Sequence, residues 1–396
     1  MSGADCWSLE VSETPMRMHS LLKKIRVKNY KSLANFECMF SDGPTLLVGA
    51  NGAGKSTLFD AVSLIRDISA GNAPLVEQNR YRAMGKTRTR WNPQASFQMF
   101  ELEVDGNGGT YDYRLVIDEV GTPLLPRIRE ERVVYDEKPI FIFEEGVVRL
   151  FNDRFEDKAS FTVDWHRSFL AAVAERPENT KLTWFKQWLQ GIRVFRPIPG
   201  SIGSIADSEA LSLDESLSNF ASWFRRLKQS ESDRRYAEFR AEAADSIPGF
   251  EGIRLETIGD GRSEIRVEFA PGGKAHEYGL AELSSGQQLL LAYCAIFRFG
   301  SNGTSLVCLD EPDNYLALKE ISPLLETLYD TVEDGGLQLL VASHHPEFYN
   351  RMAEAGGIAL TAEENRGVTA MPMAKLLEEA PSGLSVADIF ARGWED

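Results

Sequence analysis

Residues 49–56 of this 396-residue chain read Gly49-Ala50-Asn51-Gly52-Ala53-Gly54-Lys55-Ser56. An apolar run, Thr45–Val48, precedes this stretch, and apolar residues at helical spacing follow it through residues 55–68. This order of strand, glycine-rich loop and helix lets backbone N–H groups at a helix N-terminus surround phosphate groups. The stretch therefore predicts a phosphate-binding loop of the Walker A type on an α/β sheet.

The residue types in this loop suit a nucleotide. Lys55 would bring a mobile positive charge to the β- and γ-phosphates, and the hydroxyl of Ser56 would bind Mg²⁺. A glycine-rich turn that binds nothing is the alternative, but it does not account for the flanking strand and helix. We expect the bound nucleotide to contact Asn51, Gly52, Ala53, Gly54, Lys55, Ser56 and Thr57.

A second apolar run, at residues 305–309, ends in Asp310 and Glu311. Ligands of α/β sheets bind at the carboxyl ends of the strands, so these carboxylates are expected beside the phosphate-binding loop. Asp310 would hold Mg²⁺ directly or through water, and Glu311 would polarise the water that attacks the γ-phosphate. Two acidic residues in a surface loop are the alternative explanation, which the presence of the Walker A stretch disfavours.

Residues 283–287, Leu-Ser-Ser-Gly-Gln, precede a strongly apolar helix. Ser285 and Gln288 have the spacing of a capping box, which alone would only mark the start of that helix. The run also resembles the signature motif of ABC ATPases, usually LSGGQ, and it stands before the acidic motif as it does in that family. The resemblance implies that a nucleotide held by another subunit contacts Ser284, Ser285, Gly286 and Gln287.

Residues 343–348, Ser-His-His-Pro-Glu-Phe, follow a further apolar run and resemble the switch-histidine loop of the same family. His344 matches the histidine that contacts the γ-phosphate better than His345 does. A histidine after a strand is more often structural, so both roles stay open here. Residues 312–316 resemble the D-loop, although the two residues after them depart from the family pattern.

The opening of the chain carries a more specific resemblance. Residues 25–33 are similar to the first strand and turn of the RecF, SMC and OLD branch of ABC ATPases, in which the turn lies near the nucleotide. Lys31 and Ser32 are therefore candidates for phosphate contact, with a solvated strand end as the alternative. For the glutamine of the family's Q-loop, Gln94 is preferred over Gln98, which is expected within a strand.

The motifs stand in the family's order, and the resemblance covers the two outer thirds of the chain. It implies an α/β P-loop NTPase, an ABC-ATPase head with an antiparallel β subdomain and a helical insertion. The implied cofactors are ATP and Mg²⁺, and the implied catalytic residues are Glu311, Lys55 and His344, with Ser56 and Asp310 at the metal. Heads of this family work as head-to-tail homodimers that hold each ATP between two subunits.

Periodicity gives the expected organisation. We expect a flexible N-terminal tail at residues 1–18, an ATPase domain made of residues 19–148 and 250–396, and a mainly helical insertion at residues 149–249. A hairpin signal surrounds the polar turn at residues 105–109. Strand-like runs lie at residues 253–258 and 263–269, and helix-like runs lie at residues 165–174, 182–189 and 217–227.

Composition limits the partners. The net charge is −16, so any DNA contact must come from a local basic patch and not from the overall charge. The four cysteines form no CxxC pair, which fits reduced thiols. No apolar stretch approaches the roughly 20 residues that a membrane helix needs, and the first residues lack the features of a secretory signal. We expect a cytoplasmic protein with no membrane role.

Two classes of function remain open at this stage. Residues 80–90 contain five basic residues and no acid, and this segment is either a DNA-facing patch or a mobile solvated loop. In the first class the ATPase clamps double-stranded DNA in repair, maintenance or phage defence, as the RecF resemblance suggests. In the second class it is a regulatory module whose nucleotide state controls a partner effector such as a nuclease.

Overall fold

A parallel β-sheet of six strands forms the centre of the fold in the computed structural model. The structure describes residues 20–71, 75, 84–122, 124–300, 303–335, 337–363 and 366–379, so the predicted tail lies outside the described residues. Neighbouring strands of this sheet are parallel, except for the last two, which form a hairpin. In order across the sheet the strands are β10 (Ile192–Phe195), β15 (Leu306–Asp310), β16 (Gln338–Ala342), β3 (Thr45–Val48), β17 (Gly357–Glu363) and β18 (Gly367–Pro372).

Two hydrophobic cores cover the two faces of the parallel sheet. In β3, Leu47 contributes to one core, whereas Leu46 and Val48 contribute to the other. In β15, Cys308 and Val307 are divided in the same way. Because successive side chains of a strand point to opposite faces and both faces are covered, these strands read as continuous apolar runs in the sequence.

Helices pack on both faces of this sheet. α1 (Lys55–Ser69) and α3 (Thr180–Gln190) contribute to the first core, and the helices from α4 (Phe220–Ser230) to α8 (Pro346–Gly356) contribute to the second. None of the helices in the described residues is both long enough and apolar enough to cross a membrane. The helices are α1 (Lys55–Ser69), α2 (Met84–Thr87), α3 (Thr180–Gln190), α4 (Phe220–Ser230), α5 (Asp233–Ser246), α6 (Ser285–Phe299), α7 (Leu318–Gly335), α8 (Pro346–Gly356) and α9 (Met373–Glu379).

An antiparallel sheet of eight strands packs over the first core, where Tyr111, Phe141 and Phe143 are buried. The hairpin predicted around residues 105–109 is confirmed as the turn between the third and fourth strands of this sheet. In order across the sheet the strands are β2 (Leu33–Met39), β1 (Leu21–Tyr30), β4 (Phe97–Gly106), β5 (Gly109–Val120), β6 (Leu125–Tyr135), β7 (Lys138–Glu144), β8 (Val147–Phe151) and β9 (Asp157–Thr162).

A third, smaller sheet precedes the helix that carries the signature-like run. The strands expected at residues 253–258 and 263–269 are present in it as an antiparallel pair. Their inward side chains, including Ile253 and Val267, join the second core. The strands of this sheet are β11 (Ile205–Ala206), β12 (Phe250–Gly259), β13 (Arg262–Phe269) and β14 (His276–Gly279).

The segment 149–249 differs from the expected mainly helical insertion. It holds three helices, but β9 extends the antiparallel sheet and β10 is the edge strand of the parallel sheet. A four-residue apolar run such as β10 cannot be told from part of a buried helix by periodicity alone. Residues 165–174, expected as a helix, contain only a short 3₁₀ turn, because the Ser168 hydroxyl accepts from the N–H of Leu170 and bonds the buried Glu131.

Candidate active site

The loop between β3 and α1 leaves the first turn of α1 open to a ligand. Gly54, the N-cap residue of α1, has a φ of 98°, and no side chain of the described residues caps the helix. A Cβ at Gly54 would lie 2.9 Å from Val368 Cγ2, and one at Gly49, where φ is 144°, would lie 2.3 Å from Leu360 O. Only glycine fits both positions. The N–H groups of residues 55–57 are thus free to donate to phosphate oxygens.

The ammonium group of Lys55 is buried against the same loop. Its Nζ donates to Gly49 O at 2.8 Å and to Ala50 O at 3.2 Å. Burial lowers the pKa of Lys55, while the charges of Glu311 and Asp310 act in the opposite direction. Backbone carbonyls are neutral acceptors, so a phosphate would be a stronger partner for this cation than the ones it has in the loop.

The two carboxylates after β15 have different environments. Asp310 is the last residue of β15; its Oδ2 accepts from Nε of Arg196 at 2.9 Å, and its Oδ1 is buried without a hydrogen-bond partner among the described residues. Glu311 has a left-handed backbone, with a φ of 52°, and its N–H donates to Ala342 O at 2.8 Å. That conformation is uncommon for a non-glycine residue and turns Glu311 away from the strand direction.

The unpartnered oxygen of Asp310 fits a bound cation. A buried carboxylate oxygen without a partner is costly, and Mg²⁺ takes hard oxygen ligands of this kind. In the part of the chain that the structure describes, no three His, Cys, Asp or Glu side chains gather as a metal site. Mg²⁺ that is held by one carboxylate, the Ser56 hydroxyl and nucleotide phosphates needs no such cluster, because its remaining ligands are water.

The structure separates the two adjacent histidines. Nδ1 of His345 accepts from the N–H of Glu347 at 3.2 Å and so caps α8. Nε2 of His344 is buried, has no hydrogen-bond partner among the described residues and lies 3.9 Å from Oε1 of Glu311. Burial, and after it the charge of Lys55, lowers the pKa of His344. His344 is therefore the histidine that faces the predicted site, and His345 has a structural contact.

The signature-like run starts α6 at an exposed position. Ser284 is the N-cap residue and forms a capping box with Gln287. The capping box that the spacing predicts, between Ser285 and Gln288, is therefore wrong by one residue. The side chain of Gln288 instead donates to Leu283 O at 2.9 Å. Ser284 and Ser285 are exposed, and within the described residues no hydrogen bond joins them to the phosphate-binding loop.

Gly286, the next residue of this run, is buried. A Cβ there would lie 2.8 Å from Oε2 of Glu320 and 3.2 Å from Tyr315 O. The start of α6 is thus packed closely against the segment that leads from β15 into α7. A Cβ at this position would require the Glu320 carboxylate to move and would press against the Tyr315 carbonyl.

The three remaining candidates have different positions. Lys31 forms an ion pair with Asp60 of α1, at 2.5 Å. The Ser32 hydroxyl is buried without a partner among the described residues, and a Cβ at Gly54 would lie 3.2 Å from it, so Ser32 lies beside the phosphate-binding loop. Gln94 is exposed in the turn before β4, whereas Gln98 is buried in β4.

Gln98 has a structural role that keeps it from the predicted site. Its amide nitrogen donates to Asn29 O at 3.1 Å and to Thr87 O at 2.9 Å. These bonds join β4 to the end of β1 and to the short helix α2. The prediction that Gln98 lies within a strand is confirmed.

Sequence reasoning missed Arg196, which follows β10. Its guanidinium contacts Asp310 Oδ2 at 2.9 Å, Ser56 O at 2.9 Å and Asp60 Oδ1 at 2.7 Å. β10 is parallel to β15, so the residues that follow these two strands meet at one edge of the sheet. The apolar run before Arg196 is the sequence feature that could have indicated a strand end at this position. It points to the site only when β10 is known to be a strand of the parallel sheet.

The predicted DNA-facing segment is only partly described. Arg80 and Arg82 lie outside the described residues. Lys86 and Arg90 are exposed, whereas Arg88 forms an ion pair with Glu119 at 3.0 Å. The described part of this segment thus offers two exposed cations to a partner.

Comparisons with known proteins identify the family of this chain. Residues 45–350 match the family described as "AAA domain, putative AbiEii toxin, Type IV TA system", and residues 22–66 match the "P-loop containing region of AAA domain". No protein of curated function has a sequence that matches this chain.

Solved structures of SMC head domains share the fold. An SMC head bound to the C-terminal winged-helix domain of ScpA has a TM-score of 0.50 and 16% identity, covering 90% of this chain and 99% of that chain. An SMC head with an extended coiled coil, bound to a ScpA domain and described as derived from Pyrococcus furiosus, has a TM-score of 0.50, 16% identity and coverages of 91% and 98%. The SMC head of Thermotoga maritima has a TM-score of 0.47, 17% identity and coverages of 90% and 99%. At these identities the likeness shows the fold alone.

The family matches define a P-loop protein of the AAA-domain class, and its fold is that of SMC head domains. The chain belongs to the AAA-domain family whose description is "AAA domain, putative AbiEii toxin, Type IV TA system".

Proposed function

We propose that this protein binds Mg-ATP and hydrolyses it to ADP and phosphate. One observation carries the proposal: two buried polar atoms without hydrogen-bond partners among the described residues, Oδ1 of Asp310 and Nε2 of His344, lie at the ends of adjacent parallel strands. Lys55 is close enough for its charge to lower the pKa of His344. Unpartnered buried groups of this kind are expected where a charged ligand binds.

Each residue of the site has a distinct task in this proposal. Ser56 and Asp310 hold Mg²⁺, which when bound neutralises charge on the β- and γ-phosphates. Lys55 leaves the carbonyls of its own loop and bonds the phosphates. Glu311 orients and polarises the attacking water, and His344 donates a hydrogen bond to the γ-phosphate.

We further propose that two copies close on ATP head to tail. Ser284 and Ser285 are exposed at the start of α6, where they are available to another subunit. Tyr315, whose carbonyl lies against Gly286, and Leu318 at the start of α7 expose 62% and 71% of their surfaces and are also available to a partner. A homodimer in which each signature-like run covers the partner's phosphate-binding loop would bury these side chains and complete both sites.

For the biological role, we propose that a cytoplasmic ATPase cycle clamps and releases DNA in repair, maintenance or phage defence. The exposed Lys86 and Arg90 offer phosphate contacts despite the net charge of −16. The alternative is a regulatory module that controls a partner effector such as a nuclease. The family description, which refers to a toxin–antitoxin system, supports a defence role in either form.

Steady-state ATP hydrolysis with and without double-stranded DNA tests these proposals, and Glu311→Gln serves as the blank for contaminating activity. We expect a Glu311-dependent rate that DNA stimulates, with a stimulation that falls as salt rises, because phosphate contacts release counterions. Neutralising Lys86 and Arg90 should reduce the stimulation without changing the rate in the absence of DNA. A Glu311-dependent rate that ignores DNA would favour the effector-controlling module, and no such rate would contradict ATPase activity.

A further inference from the structure

Arg196 connects the two residues that are proposed to hold Mg²⁺. Nε of its guanidinium donates to Oδ2 of Asp310 at 2.9 Å, and Nη2 donates to Ser56 O at 2.9 Å. Ser56 lies after the phosphate-binding loop that follows β3, and Asp310 is the last residue of β15. These two strands are not neighbours, because β16 lies between them in the sheet.

We propose that Arg196 is a positioning residue for magnesium: it fixes the Asp310 carboxylate so that Oδ1 is presented to the metal. This inference rests on the Mg-ATP site proposed above. Because Oδ2 is held by Nε, the carboxylate cannot rotate freely, and Oδ1 is the oxygen that is left without a partner. Arg196 thereby selects which oxygen of Asp310 binds the metal.

The charges around Arg196 explain why an arginine is needed. Its Nη1 also lies 2.7 Å from Asp60 Oδ1 and 3.5 Å from Glu215 Oε2, so three carboxylates share one guanidinium. The Asp310 side chain is only 9% exposed, and without Arg196 it would be a buried charge beside two others of the same sign. A guanidinium offers donors in a fixed plane to several acceptors at once, which a lysine ammonium on a flexible stem does not.

A second layer of contacts holds Arg196 itself. The backbone N–H of Arg196 donates to Glu215 O at 2.7 Å, and Oε1 of Glu215 accepts from Ser63 Oγ of α1 at 2.8 Å. Asp60, on the same helix, also pairs with Lys31. These contacts fix the guanidinium relative to α1, the helix that begins at the phosphate-binding loop. Arg196 can therefore transmit the position of α1 to Asp310.

The test compares Arg196→Gln and Arg196→Lys with Arg193→Gln as the matched control. Arg193 lies in β10, the strand that Arg196 follows, but its side chain donates to the backbone carbonyls of Gln190 and Ile192 and not to a carboxylate of the site. Affinity for a fluorescent ATP analogue is measured in Mg²⁺ and in EDTA, and Mn²⁺ binding in the presence of ADP is measured by electron paramagnetic resonance. Thermal unfolding of each variant checks that it is folded.

We expect Arg196→Gln to weaken Mn²⁺ binding about 10- to 100-fold, the usual effect of losing a residue that orients a metal ligand. The gain in nucleotide affinity that Mg²⁺ gives should shrink, while the affinity in EDTA should stay near that of the unmodified protein. The Mn²⁺ affinity of Arg196→Lys should lie between those of Arg196→Gln and the unmodified protein, because lysine keeps the charge but not the bond geometry. The Mn²⁺ affinity of Arg193→Gln should match that of the unmodified protein.

Unchanged Mn²⁺ affinity in a folded Arg196→Gln would overturn the inference and leave the proposed ATPase function standing. If Arg196→Gln does not fold, the same criterion applies to Arg196→Lys. Nucleotide binding by the unmodified protein that ignores Mg²⁺, or no nucleotide binding at all, would instead contradict the proposed Mg-ATP site, and the inference with it.

Discussion

Nε2 of His344 lies 3.9 Å from Oε1 of Glu311, at the point where two adjacent parallel strands end. Both side chains therefore reach the same small region although they lie in different segments of the chain. The lowered pKa of His344 favours a neutral imidazole, which can donate a hydrogen bond without forming a strong ion pair with Glu311. The pair is suited to orient a water molecule and a phosphate oxygen side by side.

The two histidines provide a direct test of this relationship. We expect His344→Ala to lower kcat about 100-fold, the usual range for a lost acid–base or hydrogen-bonding group, with little change in nucleotide affinity. The measurement is ATP hydrolysis under saturating Mg-ATP, together with nucleotide binding.

His345→Ala is the matched control, because only its neighbour faces Glu311. It should keep kcat close to that of the unmodified protein but lower the free energy of unfolding by about 1 kcal/mol, the usual cost of a lost N-cap. Equal losses of kcat in the two variants would contradict the assignment of His344.

Dimerisation by ATP gives a second prediction. Glu311→Gln should form a stable dimer in Mg-ATP, because it binds the nucleotide but does not hydrolyse it, and sedimentation velocity would detect the dimer. Adding Ser284→Arg should leave monomers, since the exposed N-cap of α6 would carry a bulky side chain into the interface.

Ser284→Ala in the same Glu311→Gln background distinguishes the effect of a blocked dimer interface from the effect of a lost N-cap. It should also lose about 1 kcal/mol of stability through the missing cap, yet still dimerise. A Glu311→Gln protein that stays monomeric in saturating Mg-ATP would exclude the proposed dimer.

The buried Glu131 of β6 predicts a pH dependence of stability. Burial raises the pKa of Glu131 from 4.5 to about 7, even though Tyr113 and Ser168 donate hydrogen bonds to it at 2.8 and 2.7 Å. Its folded-state pKa is above its unfolded-state pKa, so the folded protein binds more protons between these values. Its contribution to stability is complete below pH 4.5 and is lost as the pH rises through about 7.

Glu131→Gln removes this titration while keeping a group that can bond Tyr113. Relative to the unmodified protein it should gain stability as the pH rises from 4.5 to about 7, by about 3 kcal/mol for a shift of this size. Urea unfolding at several pH values measures the difference between the two proteins. A constant difference across this range would contradict a raised pKa for Glu131.

Local sequence was sufficient for the elements that carry the nucleotide motifs. Local patterns specify a strand, a loop and a helix here without information from distant segments. These patterns are the apolar run of β3, the glycines at positions 49, 52 and 54 and the periodicity of α1. The capping box of α6 was predicted one residue out of place, because both serines of the run satisfy the same spacing rule and only the helix start distinguishes them.

The central segment shows why periodicity was not sufficient elsewhere. β10 has only four residues, and its pairing partner, β15, comes more than a hundred positions later in the chain. The sequence therefore predicts a helical region here, and nothing in the local pattern singles out Arg196 at its end. A related reason applies to Gln94: a loop position is predictable from sequence, whereas what lies next to that loop depends on the tertiary structure.

By itself, the sequence determined the Walker A loop with its flanking strand and helix and the two carboxylates after β15, because these depend on neighbours along the chain. The tertiary structure alone decided that His344 and not His345 faces Glu311, that Arg196 links Ser56 to Asp310, and that Glu131 is buried. These relationships depend on which strands lie side by side, and that order is set by the packing of both faces of the parallel sheet against their two cores.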